Sequence, residues 1–274
     1  MGIYPPLLYI CHQLIIRKVR IILLSIVLLL FTSCERILNF EIIGDGKYSE
    51  PVLQKLSSFS RIDFYDDFEL EIRQAEQQQV YVQAESNLLR FVTTEVSDEQ
   101  LLIQRLPNYT LVPRHPIKIV IETPDLKEIS IYGKGKLLID TLGVQSLSLN
   151  VYSRSNVKIQ AVRIQDFKLL SNSGGEIDIE GEFSSLNFRQ AGSGSSQIRG
   201  LAEDALLVQE GSGIIKARDL YPDYLTVSLF GSGLVYCRAL DYFSVLIEDN
   251  GRILYTGSEP DSKDIKGEGR LIRN

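Results

Sequence analysis

An acidic run near residue 65 is the densest group of side chains that could perform chemistry in this sequence. It consists of Asp63, Asp66, Asp67, Glu69 and Glu71. Residues two apart on a strand share a face, so carboxylates at this spacing could bind calcium or act as a general acid and base. A solvated strand carries the same pattern without any chemistry. We favour that second interpretation and expect neither a metal site nor a cofactor.

A lone histidine and a lone cysteine are the other candidates for catalysis. His115 lies between Pro113 and Pro116, which predicts a loop, and a single histidine cannot form the histidine clusters that bind zinc. Cys237 falls on a regular series of apolar positions, so we expect a buried thiol rather than a nucleophile. We therefore predict no catalytic residue and a protein that is not an enzyme.

Tyrosines and small-residue turns offer two kinds of binding chemistry. Tyr132, Tyr152 and Tyr236 flank turns and are candidate contacts for a glycan, although the chain has no tryptophan and tyrosine is common on strands. The Gly-Ser-Gly sequences could suggest phosphate binding, but their spacing matches neither the P-loop nor the dinucleotide fingerprint. No helix follows them to offer its N-terminus to an anion. We interpret these glycines as structural.

Eight small-residue motifs, spaced almost evenly along the second half of the chain, must position these side chains. Their starts are separated by 20, 20, 19, 19, 20, 18 and 18 positions. The motifs begin at Gly133, Ser153, Ser173, Gly192, Gly211, Gly231, Asp249 and Gly267. So short a period indicates a stacked architecture, because one unit alone cannot bury its apolar face.

Two series of apolar residues flank the motifs at fixed distances. Four positions before the motif starts stand Ile129, Leu149, Leu169, Phe188, Leu207, Val227, Val245 and Lys263. Six positions after the starts stand Ile139, Ile159, Ile179, Ile198, Ala217, Cys237, Tyr255 and Arg273. Apolar and polar residues alternate around them, which is the period of a β-strand. The pattern predicts an all-β fold, a right-handed parallel β-helix-like solenoid with coils of 18–20 residues.

The corners and the C-terminal end of this solenoid are also predicted from the motifs. Glycine adopts positive φ without penalty, which a corner between two strands needs. The glycines assigned to corners are Gly133, Gly135, Gly175, Gly192, Gly194, Gly211, Gly213, Gly231, Gly233, Gly251, Gly267 and Gly269. Lys263 and Arg273 interrupt the two apolar series in the last unit, which predicts a polar cap on an open end.

Residues 58 to about 131 are predicted to form short strands with less regular spacing. Strands are expected at 62–64, 68–72, 80–84, 92–96, 101–104, 117–121 and 129–132. The same alternation continues into the first repeat, so we expect one continuous β structure that is less regular on its N-terminal side.

The N-terminus has the features of an export signal. Three basic residues, Arg17, Lys18 and Arg20, precede the apolar run 21–31, which is too short to span a membrane but suits a secretory signal. The run ends in small residues before Cys34, as in a bacterial lipobox. We predict a lipoprotein signal peptide at 1–33, with 1–16 upstream of the true start, lipidation of Cys34 and a tether at 34–57. An uncleaved anchor or an ordinary signal peptide are the alternatives.

Several segments together resemble a known family. They are 64–72, 80–88, 95–103 and 116–129, the repeated Gly-Ser-Gly turns and 255–260. Over residues 58–273 the chain resembles the head GIN domain family of autotransporter adhesins. It departs from the family where Ser153-Arg154-Ser155 and Asp249-Asn250-Gly251 replace Gly-Ser-Gly. The resemblance implies a β-helical domain at 58–274, an exported or lipid-anchored protein of Bacteroidetes-type bacteria, and no catalytic residues to carry over.

The net charge and the cysteine content further limit the functions that this protein can have. The chain has a net charge of −6, and its leader contributes only basic residues, so nucleic acid and anionic membrane surfaces are unfavoured partners. With Cys11 in the leader and Cys34 in the lipobox, Cys237 has no disulfide partner. We expect a protein anchored by lipid in the bacterial cell envelope, at the outer membrane, which binds a glycan, a matrix component or another envelope protein. A carbohydrate-active enzyme and a purely structural or regulatory module are the alternatives.

Overall fold

A computed structural model describes Arg20 and residues 39–274. The chain divides into two units, residues 1–39 and residues 40–274, and the described strands all lie in the second unit. The predicted signal peptide, the apolar run and Cys34 lie outside the described residues. Within the described residues, no helix is long and apolar enough to cross a membrane.

Strands make up nearly all of the regular structure of residues 40–274. The N-terminal strands are β1 (Phe40–Ile43), β2 (Val52–Gln54), β3 (Arg61–Phe64), β4 (Glu69–Gln74), β5 (Gln79–Gln83), β6 (Val92–Ser97), β7 (Gln100–Arg105), β8 (Tyr109–Val112), β9 (Lys118–Thr123) and β10 (Glu128–Ile131). The later strands are β11 (Lys136–Val151), β12 (Asn156–Ser171), β13 (Glu176–Ala191), β14 (Ser195–Glu210), β15 (Ile214–Phe230), β16 (Leu234–Ala239), β17 (Tyr242–Asp249), β18 (Arg252–Gly257), β19 (Ser262–Gly267) and β20 (Arg270–Arg273). One short 3-10 helix, Leu89–Phe91, precedes β6.

The later strands stack as the coils of a parallel β-solenoid, which confirms the predicted fold class. Successive coils pair in parallel and in register, so that Leu149 lies beside Leu169 and Leu169 beside Phe188. About seven coils of some 20 residues follow one another in this way. Because side chains alternate across a strand, this register places apolar residues on apolar residues along the whole stack.

The two apolar series predicted from the sequence form the core. All their members are buried from Ile129 to Val245 in the first series and from Ile139 to Tyr255 in the second. Their last members, Lys263 and Arg273, are exposed on β19 and β20. These two strands end the stack at the C-terminal side, where their charged side chains oppose pairing with another chain.

The N-terminal side of the solenoid does not follow chain order. Strands β3 and β4 form a coil beside β10 and β11, and β7 and β9 pair in parallel with β3 and β4 on the other side. The chain thus passes through the second coil first, leaves to build the terminal coil, and returns at β10. Antiparallel strands close this end, since β6 pairs with β7, β5 with β9, and β2 with β5.

The described part of the predicted tether at 34–57 contains two strands. Residues 40–43 form β1, which pairs in parallel with β8, and residues 52–54 form β2, the terminal strand of one sheet face. Tyr48 between them forms a bridge to Glu85. Most side chains of β1 and β2 are exposed, so these strands are held by backbone pairing with β8 and β5, which the sequence analysis of 34–57 did not predict.

The corner glycines are needed for a different reason from the one expected. Among the twelve, only Gly211, Gly231 and Gly267 have positive φ. At Gly175, a Cβ atom would lie 2.1 Å from the carbonyl oxygen of Ser155 in the preceding coil. Neighbouring coils approach so closely at the corners that most of these positions exclude a side chain, whatever their backbone conformation.

Candidate functional site

The burial pattern of the long strand β11 locates two bends. In β11, buried and exposed residues alternate except at 140–141 and 145–146, where two exposed residues follow each other. Alternation is the rule in a straight strand, so each exposed pair marks a corner. This coil therefore has a short middle segment between its bends, at residues 142–145.

A groove of about 760 Å³ lies over the middle segments of five successive coils, and we call it the lateral groove. Its lining includes one outward residue from each coil, and these residues are register partners. They are Gly143, Arg163, Glu182, Leu201 and Tyr221. Four strand spacings of ~4.8 Å make the groove roughly 19 Å long, which suits an extended ligand.

The lateral groove combines exposed apolar surface with charge. Leu201 is 56% exposed and Tyr221 is 40% exposed. The guanidinium of Arg238 lies 5.0 Å from the ring centroid of Tyr221, and a cation in this position favours a fixed ring orientation. Arg163 forms an ion pair with Glu182 at 2.8 Å. The groove thus combines the aromatic ring of Tyr221, whose orientation Arg238 fixes, with the aliphatic side chain of Leu201 and with polar groups.

Carboxylates outnumber cations along the lateral groove. Glu203 and Asp223 line it in addition to the paired Glu182. Ser184 donates a hydrogen bond to Glu203 at 3.4 Å. With only Arg163 as a cationic lining residue, the groove favours a neutral or cationic ligand over an anionic one.

Small residues lie in and beside the groove. Gly143 lines it in the middle segment of β11, and Gly181 and Gly200 are register partners on neighbouring coils at the first bend. Gly200 has φ of 120° and Ala161 has φ of 46°, both in the left-handed region that side chains disfavour. The bends therefore depend on specific backbone conformations rather than on side-chain packing alone.

The predicted glycan contacts are only partly brought together. Tyr132 and Tyr152 stack with ring centroids 5.0 Å apart, and Tyr65 stacks on Tyr132 at 4.5 Å. Tyr236 lies elsewhere, with Arg218 4.6 Å from its ring centroid. Tyr65 and Tyr132 occupy equivalent positions in neighbouring coils. Because strands β5 to β9 lie between them in the sequence, the repeat pattern does not reveal Tyr65. The stacked rings cover one another's faces, which leaves mainly their edges for a ligand.

The acidic run is distributed over separate pairs. Asp66 is buried and accepts a hydrogen bond from the Arg105 backbone at 2.5 Å, and Lys136 donates to Glu69 at 2.7 Å. Lys118 pairs with Glu71 at 2.6 Å. No three histidine, cysteine or acidic side chains of the described part of the chain are grouped so as to hold a metal ion. The run therefore joins neighbouring coils through ion pairs and hydrogen bonds.

His115 lies in the predicted loop, where it contacts a buried carboxylate. Its Nδ1 is 3.2 Å from Oε1 of Glu85, which is fully buried. The backbone N–H groups of Gly46 and Arg114 each donate to Glu85 at 2.9 Å. Burial acts to raise the pKa of Glu85, but the hydrogen bonds from Arg114, His115 and Gly46 outweigh it and hold that pKa below its ordinary value. We call these four residues the Glu85 clasp.

Cys237 is fully buried in the core, and this burial raises the pKa of its thiol to about 12. Because the thiolate is the reactive form, we expect iodoacetamide at pH 8 to leave Cys237 of the folded protein unmodified. In guanidinium chloride the same thiol should react fully, which mass spectrometry would show. Stoichiometric modification of Cys237 without denaturant would contradict the buried position.

Comparisons with known proteins agree with the fold. The family model described as "Putative auto-transporter adhesin, head GIN domain" matches residues 58–258. No curated protein matches the chain. Because the matched residues make up well over half of the chain, the match shows family membership and not merely a shared architecture.

Three crystal structures are similar over most of the described chain. A "putative lipid binding protein" from Parabacteroides distasonis is 24% identical with a TM-score of 0.72, and the match covers 85% of this chain and 99% of that chain. A "putative adhesin" from Parabacteroides merdae is 20% identical with a TM-score of 0.77, covering 86% and 99%. A "putative adhesin" from Bacteroides fragilis is 22% identical with a TM-score of 0.63, covering 85% and 98%. These structures share the solenoid fold, and the chain belongs to the head GIN domain family of putative auto-transporter adhesins.

Proposed function

We propose that this protein is a non-catalytic binding module of the bacterial cell envelope and that the lateral groove binds a neutral or cationic glycan chain. The observation that carries the proposal is the row of exposed side chains across five coils, with Tyr221 held by Arg238. An aromatic ring offers a flat apolar face to a sugar, while carboxylates and amides accept and donate hydrogen bonds. Membership in an adhesin-type family supports a binding role at the cell surface.

The proposed anchor is a lipid on Cys34. Support comes from the sequence, in which basic residues, the apolar run 21–31 and small residues precede this cysteine. Metabolic labelling with an alkyne fatty acid should mark the protein, and Cys34→Ser should abolish both the label and retention in the membrane fraction. Retention of the label in the Cys34→Ser variant would exclude lipidation at this cysteine.

Tyr221→Ala is expected to weaken glycan binding about tenfold or more, because it removes an aromatic contact at the centre of a ligand site. Residues 39–274 would first be screened on a glycan array, and the affinity of a captured glycan would be measured by calorimetry. Tyr224→Ala is the matched control, since Tyr224 is 57% exposed but does not line the groove. Equal losses in the two variants, or no captured glycan, would contradict the groove as the binding site.

A carbohydrate-active enzyme is a second candidate, favoured by the three carboxylates that line one groove. Glu182, Glu203 and Asp223 come from successive coils, and pairs of carboxylates supply the general acid and base of many glycosidases. Incubation with polysaccharides would test this by the release of reducing ends or unsaturated products. Activity that disappears in Glu203→Gln or Asp223→Asn would replace the binding proposal by an enzymatic one.

A further inference from the structure

Exposed aliphatic and phenylalanine side chains collect at the N-terminal end of the solenoid. Eight large hydrophobic residues other than tyrosine are exposed in the described part of the chain. Five of them belong to β1, β2 and β8, namely Phe40, Ile43, Val52, Leu53 and Val112. With Tyr48, which is also exposed, they form what we call the cap patch.

The cap patch lies on strands that close one end of the stack. β2 is the last strand of a sheet face and pairs only with β5. The backbone N–H of Ser49 donates to Ala84 at 2.9 Å and that of Ser86 donates to Lys47 at 2.9 Å, so the segment between β1 and β2 runs beside residues 84–86. Residues 40–54 therefore wrap this end, and four strand pairings separate β2 from β11, the first strand that lines the lateral groove.

The apolar residues of β1 and β8 occupy both faces of their two-stranded sheet. Ile42 and Leu111 are register partners that pack against the core. One position further, Ile43 and Val112 are also register partners, but they are 56% and 41% exposed. Since successive side chains point to opposite faces, Ile43 lies beside Glu41 on the face away from Ile42, whereas Phe40 is exposed on the same face as Ile42. Exposed apolar residues concentrated at one end of a domain mark a contact surface.

The chain itself indicates what covers the cap patch. Phe40 is both a member of the cap patch and the residue at which the chain enters the domain, so the N-terminal segment leaves from this end. Cys34 is six residues away, a span of about 20 Å when fully extended. A lipid on Cys34 would therefore hold the cap patch within reach of the bilayer surface.

We propose that the cap patch contacts the lipid bilayer and fixes the solenoid with its N-terminal end against the membrane. This inference rests on the proposed lipid anchor. Apolar residues around a tyrosine suit the interface between head groups and acyl chains. Because the chain is acidic, the contact is apolar rather than electrostatic, and phosphatidylcholine, a zwitterionic lipid without net charge, is sufficient for it. The lateral groove then stands clear of the membrane, accessible to an extended ligand.

A tryptophan reporter tests the contact, because the chain has no tryptophan of its own. Leu53→Trp places the reporter in β2, and Ile272→Trp places the control in β20, the last strand at the opposite end of the stack. Residues 34–274 contain the whole compact unit. Cys34 would be coupled to a maleimide lipid in phosphatidylcholine vesicles, while the buried Cys237 thiol stays unmodified.

Brominated phosphatidylcholine should quench the emission of Leu53→Trp at least twofold and leave Ile272→Trp unchanged. Val112→Trp, a second reporter in the cap patch, should behave as Leu53→Trp does. Equal quenching at the two ends, or none at Leu53 and Val112, would overturn the proposal. A blue shift of Leu53→Trp that depends on protein concentration without vesicles would overturn it in favour of a second copy of the chain. Chemical coupling keeps this result independent of whether cells lipidate Cys34, which the labelling experiment decides.

Discussion

Gly200→Ala is expected to lower the free energy of unfolding by about 3 kcal/mol or more, because both the backbone conformation and the neighbouring coil exclude a side chain. Gly200 has φ of 120°, and an added Cβ would lie 1.8 Å from the carbonyl oxygen of Gly181. Gly200 pairs with Gly181 on one side and Leu220 on the other. The strand therefore has no free direction in which to move away from the clash.

Thermal unfolding followed by circular dichroism measures this effect, and a change of about 3 kcal/mol shifts the melting temperature by roughly 6–12 °C in a chain of this size. Gly143→Ala is the control, because Gly143 lies in the middle segment of an earlier coil, one position after the residue equivalent to Gly200. The nearest atom to its added Cβ is 4.0 Å away, so we expect a change within about 0.5 kcal/mol. Equal melting temperatures for the two variants would contradict the close approach at Gly200.

Glu85→Ala should destabilise the protein by about 3 kcal/mol, since it leaves the Gly46 and Arg114 N–H donors and His115 without their shared acceptor. The pKa of Glu85 is lowered in the folded state, so its carboxylate stabilises the fold fully above its ordinary value of 4.5. That stabilisation is lost as the pH falls from there through the lowered folded-state pKa. The difference in stability between wild type and Glu85→Ala should therefore be larger at pH 7 than at pH 3.

Urea unfolding at both pH values measures this difference. Glu268→Ala removes an exposed carboxylate and should change the stability little at either pH. Glu85→Gln, which retains an acceptor oxygen, should fall between Glu85→Ala and wild type. A stability difference that is the same at pH 3 and pH 7 would show that the clasp does not depend on the ionised carboxylate.

Much of the solenoid could be predicted from local regularity. Positions such as Leu149 and Ile159 recur with the period of the coil, and stacking in register places each beside its equivalent. The seven strands expected between residues 58 and 132 all occur in the structure with small shifts at their ends. Alternation identifies a strand because it reflects one buried face, which each segment carries in its own sequence.

The glycines show how a correct position can be predicted for an incomplete reason. Their regular spacing marks the corners, but φ is positive at only three of the twelve. At Gly175 the exclusion of a side chain comes from the carbonyl oxygen of Ser155, which lies in another coil. A contact of this kind depends on the distance between coils, which no single repeat contains.

The candidate sites depended even more on tertiary structure. Leu201 and Tyr221 are neighbours in the lateral groove, yet each taken alone is an ordinary surface residue. Ile43 and Val112 lie side by side although 69 positions separate them. The first pair follows the coil period, but the residue type at that position changes from coil to coil, and the second pair does not follow the period, so the pattern that predicted the core was silent about both surfaces.

The stacked β architecture, its repeat length, the burial of Cys237 and the family all follow from the order of the amino acids, because each coil carries the same alternation and the same small-residue corner. Long-range pairing decided which coil lies at the N-terminal end, since β7 and β9 pair beyond β3 and β4 against chain order. It also decided where exposed side chains gather into the lateral groove and the cap patch. Those surfaces arise from bends and from pairing between distant segments, whereas the core arises from a period that each repeat already contains.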